Sequence, residues 1–156
     1  PTAAQTTERL NIFELKKFKG LIHLAPNPAG YRGVEEYLSS VEATKKIGII
    51  AGVGDRRDED IKECAMIAAR MFDHIIIRQE KYLRGRTEEE INDLILEGIT
   101  ASGKTVTHEI ITKEVEALKH AINSAEDGSF ITALSDVITN AIEVVQEYLD
   151  KENEEA

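Results

Sequence analysis

The feature that most constrains this chain is a repeated change of hydrophobic period. Residues 18–25, 46–51 and 74–78 are strand-length and almost continuously apolar, and each is followed by a stretch whose apolar residues recur at helical spacing. That alternation is the sequence form of βαβ units, and the continuous apolar runs are those of parallel strands covered on both faces. Parallel neighbours need a crossover connection, which is right-handed, so the loops that follow the strands gather on one edge of the sheet. Ligands bind at that edge in such folds. Here its loops are 26–30, 52–58 and 79–86.

The helices carry their own signals. Val34, Tyr37, Leu38 and Val41 share one face of a helix over 31–41, and Ile61, Ala65, Ala68 and Phe72 share another that Asp58 or a neighbour caps. Thr87 with Glu90 reads as a capping box ahead of Ile91, Leu94 and Ile95. A fourth strand is predicted over 105–111, a helix over 113–125, a last short strand over 129–134 and a final helix over 136–150. Weak alternation near 10–15 adds an N-terminal strand. No repeat or linker divides the chain, so 1–156 reads as one domain with flexible tails at 1–7 and 151–156. The acidic run from 147 onward reads as solvated surface.

Composition excludes several functions. The net charge of −10 disfavours nucleic acid as a partner, since phosphate contacts need clustered Lys and Arg. The apolar runs are too short to span a bilayer, and residues 1–7 lack the basic and apolar segments of a secretory signal. Cys64 is the single cysteine, which points to a reducing, cytoplasmic setting, and its place on a helix stripe makes it core rather than nucleophile.

Residues 98–105 match the G-x-x-x-x-G-K-T phosphate-loop pattern. That loop works only between a strand and a helix, where backbone N–H groups face the phosphates. Here a helical pattern precedes it and a β-like pattern follows. Gly98 therefore reads as a helix C-cap and Ser102-Gly103-Lys104 as a turn into a strand.

The most informative stretch is Gly52-Val-Gly54-Asp55-Arg56-Arg57-Asp58-Glu59-Asp60. It fails the dinucleotide fingerprint at Arg57, and taken alone its acids fit an ion-paired helix start as well as a site. Set beside Arg9-Leu-Asn-Ile-Phe13, Ala25-Pro-Asn27-Pro28-Ala29-Gly30-Tyr31, Phe72-Asp73-His74-Ile75-Ile76-Ile77-Arg78 and Arg84-Gly85-Arg86, it resembles the C-terminal Mur ligase domain of cyanophycin synthetases. The resemblance implies a Rossmann-like three-layer α/β/α domain with a mostly parallel sheet. It also implies an ATP-dependent amide-bond ligase in which a carboxylate is phosphorylated and an amine attacks the acyl phosphate. In the family the amine is that of arginine and the carboxylate an aspartate side chain.

On this resemblance the domain closes over ATP, which with Mg²⁺ is held by a separate central domain, and it binds no cofactor alone. Arg9, His23 and Asn27 are then nucleotide-facing, and Asp55, Arg56, Arg57, Glu80, Arg84 and Arg86 face the amino acid or substrate. One of Arg56 and Arg57 should pair locally with the acids of the helix start while the other faces the cleft. The implied partners are the central domain, an ATP-grasp region and an acidic or arginine-containing peptide, with homo-oligomer formation left open. The chain departs from the family at His23 and Pro26, where the motif has aspartate and histidine, and at Gln79-Glu80-Lys81, where it has a run of acids. An imidazole does not replace a carboxylate as acceptor, so a non-catalytic binding module is the second reading and a phosphate-loop NTPase through 98–105 the third. His74 reads as edge packing, and no metal is expected from His108 and His120.

Overall fold

A computed structural model describes residues 11–25, 27–52, 57–135 and 139–155. Among the described residues eleven elements follow one another: β1 (Asn11–Glu14), β2 (Phe18–Leu24), α1 (Pro28–Leu38), β3 (Lys45–Ile50), α2 (Asp58–Met71), β4 (His74–Ile77), α3 (Glu88–Ala101), β5 (Thr107–Ile110), α4 (Glu114–Ser124), β6 (Ser129–Ser135) and α5 (Thr139–Glu155). The six strands form one sheet in the order β1-β2-β6-β3-β4-β5. Every neighbouring pair is parallel except β1 with β2, so the weakly patterned N-terminal strand is an antiparallel edge.

The three isoleucines of β4 show why a continuous apolar run suits a central strand. Ile75 and Ile77 point into one core and Ile76 into the other, all of them buried. The first core is closed by α1, α2 and α3, with Tyr31, Leu38, Ala68 and Ile91 among its residues. The second is closed by α4 and α5 through Leu118, Ala121 and Val145. The result is the expected three-layer α/β/α arrangement.

Helix starts are set locally. The Asn27 side chain accepts from Gly30 N at 2.9 Å and Pro28 occupies the first turn of α1, so this helix begins three residues before the apolar stripe predicts. At α3 the Thr87 hydroxyl accepts from Glu90 N at 3.0 Å, the half of the capping box that holds the helix. The Glu90 carboxylate is engaged by Arg86 at 3.4 Å. At α2 the N-cap is Arg57, without a side-chain cap bond, and Asp58 is the first helical residue rather than the cap. Asp58, Glu59 and Asp60 instead place negative charge in the first turn, where the helix dipole favours it.

One expectation is corrected at a helix end. Gly98 is not a C-cap, because α3 continues to Ala101 and the cap is Ser102, with Gly103 following at φ +70°. Gly98 lies where α3 crosses α2, and a Cβ there would overlap the Lys62 carbonyl oxygen and come within 2.7 Å of the Ala65 Cβ. The acidic run from 147 onward is mostly exposed, as a solvated surface is, and through Glu155 it belongs to α5. Glu152 accepts from Lys16 N at 3.1 Å, which fastens that end to the turn between β1 and β2.

Candidate functional edge

The parallel strands all end on one edge, and three loops meet there. Ala25, Tyr31, Ala51, Gly52 and Asp60 line one small cavity, which brings the end of β2, the end of β3 and the start of α2 together. Arg86 reaches from the loop after β4 to Asp58 at 2.7 Å. The 98–105 segment joins α3 to β5 and so lies on the opposite edge, between a helix and a strand, with Lys104 exposed. This order is the reverse of what a phosphate loop requires.

On this edge stands Arg78, the residue after β4 and almost fully buried. Its guanidinium bonds Glu80 at 3.2 Å, Glu114 at 3.3 Å and the Gln79 carbonyl at 3.3 Å, and approaches the Leu134 carbonyl at 3.5 Å. Gln79 N donates to Thr112 O at 2.9 Å, and the Gln79 side chain bonds Asn92 of α3. A charge buried this deeply is tolerated only when paired and hydrogen-bonded, as here. Tyr31 lies close by. Burial pushes its phenol well above the ordinary range, with the Cys64 and Glu80 charges adding to the rise and Arg78 opposing it.

No family model matches the chain. Among curated proteins, it is 36% identical over 148 residues to the cyanophycin synthetase of Geminocystis herdmanii (strain PCC 6308), covering 95% of this chain and 17% of that protein. The chain is related to the C-terminal Mur ligase domain of cyanophycin synthetases. It spans about a sixth of the length of the curated relatives it matches. The fold agrees: a UDP-N-acetylmuramoyl-L-alanyl-D-glutamate--2,6-diaminopimelate ligase superposes with a TM-score of 0.74 at 18% identity, covering 93% of this chain and 32% of that one. FolC of E. coli, in complex with ADP, superposes with a TM-score of 0.68 at 15% identity, covering 94% and 32%.

Within this Mur ligase C-terminal fold the residues singled out from sequence take several positions. Arg9, Asp55 and Arg56 lie outside the described residues. His23 is half-buried near the end of β2, opposite Leu134 of β6. Asn27 gives its side-chain oxygen to the cap of α1. Arg57 pairs locally, with Asp60 at 3.2 Å and Glu59 at 3.6 Å, and the expected division of labour with Arg56 lies outside the described residues. Arg86 is likewise engaged by Asp58 and Glu90, while Glu80 rests on Arg78. Arg84 is exposed at φ +54° beside Gly85 at φ +86°, two consecutive residues with left-handed φ in the loop after β4.

Sequence reasoning missed Arg78 and Glu114 as members of the edge. The available signal was a charged residue ending an apolar strand, but its acidic partner Glu114 comes from a helix far along the chain. It read His74 as edge packing and expected no metal from His108 and His120, without naming the acid that two of the histidines share. Glu109 receives His74 at 2.7 Å and His120 at 3.1 Å, and His74 also meets Thr107 at 2.6 Å. This cluster joins β4, β5 and α4, and His74 is the first residue of its strand, so it stands toward the edge away from Arg78. Among the described residues no group of three or more His, Cys, Asp or Glu could hold a metal ion, and no helix is long and apolar enough to cross a membrane.

Proposed function

We propose that the chain is the closing, amino-acid-positioning domain of an ATP-dependent amide-bond ligase. The observation that carries this reading is the edge itself: charged side chains from α2, α4 and the loop after β4 converge beyond the carboxyl ends of parallel strands. The relationship to cyanophycin synthetases supplies the chemistry. One carboxylate oxygen attacks the terminal phosphate of ATP and ADP leaves, then an amine attacks the acyl carbon and phosphate leaves with the amide formed. In the family ATP and Mg²⁺ lie on a separate central domain, and the phosphate-loop match of this chain, on the other edge and in the reverse order, is not the site for them.

The residues of this chain then act by positioning and by excluding water from an acyl phosphate that water would otherwise hydrolyse. Glu80, fixed by Arg78, presents a carboxylate to a cationic group of the incoming amino acid. In this reading Arg84, exposed on the loop after β4, meets an anionic group across the closing interface, and Arg56 of the 52–58 segment shares that role. Arg86, bonded to Asp58 and Glu90, holds the loop that carries Arg84. Arginine as the amino acid and an aspartate side chain as the acceptor follow from the family.

The test uses the full-length protein that carries this domain. Phosphate release is expected to require both an aspartate-ended peptide and a free amino acid, and Arg84→Ala is expected to weaken it while the protein stays folded. A full-length protein that binds such peptides yet releases no phosphate with any amino acid would replace the ligase reading with the binding module. His23, standing where the family has a carboxylate, favours that second reading.

A further inference from the structure

The geometry points to Arg78 as a positioning residue of the functional edge: one buried guanidinium sets the orientation of Glu80 by tying it to the start of α4 and the end of β6. The inference rests on the ligase reading for what Glu80 meets, and on the structure alone for the tie.

The burial of the three side chains runs in order. That of Arg78 is 3% exposed, those of Glu80 and Glu114 are 15% and 18% exposed. The guanidinium therefore forms the floor and the two carboxylates stand above it, nearer the cleft. One terminal nitrogen reaches both acids, Glu80 through Oε1 and Glu114 through Oε2, and lies 3.5 Å from the carbonyl of Leu134. The other terminal nitrogen bonds the Gln79 carbonyl at 3.3 Å. Three segments distant in sequence are thus fixed to one planar group.

Stability alone does not call for such an arrangement. A buried ion pair is matched or exceeded in stability by apolar residues of similar volume, because the desolvation of the charges offsets their attraction. What the charges add is a fixed spatial relation. Glu80 opens the loop that carries Arg84 and Arg86, so its angle on Arg78 decides where that loop leaves the sheet. A lysine keeps the charge but not the fork, so it cannot hold several acceptors in one plane.

In the full-length ligase, Arg78→Lys is expected to raise KM for the incoming amino acid roughly tenfold, the loss of one charge-assisted bond, with KM for ATP and kcat little changed. Glu80→Gln should move the same constant in the same direction. The double variant should be no worse than Glu80→Gln alone, because Arg78 acts through that carboxylate. In the 156-residue chain, Arg78→Lys should speed hydrogen exchange at 79–83 and 113–116 and leave α2 as protected as before. A fall in kcat without the KM split, additive effects in the double variant, or exchange that rises everywhere or nowhere would each overturn the proposal. A wild-type full-length protein that forms no amide refutes the ligase reading, and the exchange result then decides the tie by itself.

Discussion

Gly98→Ala separates the two meanings of the glycine that opens the phosphate-loop match. In an exposed helix interior the change stabilises by roughly 1 kcal/mol, because alanine loses less backbone entropy on folding. Gly98 is buried in α3, and its new Cβ would overlap the Lys62 carbonyl oxygen and lie 2.7 Å from the Ala65 Cβ. Those atoms belong to α2 and its backbone cannot yield by a simple rotamer change. Overpacking of this kind costs about 1–3 kcal/mol, occasionally more. Overlap with a backbone atom calls for the upper end of that range, so set against the helix gain the net loss is about 2 kcal/mol, which for a domain of this size lowers Tm by roughly 4–8 °C. Thermal unfolding of the 156-residue chain, followed by far-UV circular dichroism, measures it. A variant that melts at or above the wild-type temperature would refute the close helix crossing. One that melts unchanged but loses nucleotide binding would restore the phosphate loop.

The other predictions use the same chain. Lys104→Ala should leave Tm unchanged, since the side chain is exposed, and neither it nor the wild type should turn over ATP; steady hydrolysis abolished by the substitution would refute this. Asn27→Ala should cost about 1 kcal/mol by removing the cap of α1, whereas Asn27→Ser should cost little. Equal losses in urea titrations would count against the cap. Thr87→Ala should lower stability by a similar amount, about 1 kcal/mol, by the same assay. Burial pushes the Glu109 carboxyl up, but the hydrogen bonds and charges of His74 and His120 outweigh it and hold it below the usual glutamate range. Its folded pKa is depressed, so its contribution is present at neutral pH and fades as the pH falls below that range. Glu109→Gln should flatten this part of the acid-side loss of Tm, and an identical acid profile in the variant would contradict it.

Much of the site was legible only as a place. The strand runs and the crossover rule located the edge, because a parallel connection leaves the loops nowhere else to go. Thr87 and the acids 58–60 announced helix starts, since caps and dipole charges act within a single turn. The reading went wrong where the deciding contact was distant. Gly98 resembled a cap because sequence shows no neighbouring helix.

The sequence by itself determined the fold class, the order of the elements and the edge at which the loops meet. Each follows from the period of apolar residues, a local quantity that any window of the chain displays. Only the tertiary structure decided what the charges do. Arg78 with Glu80 and Glu114, Arg86 with Asp58, and Glu109 between two histidines join elements that pack together only after the sheet forms. Ion pairs depend on distance and burial in space, and neither quantity is written in the spacing of residues along the chain.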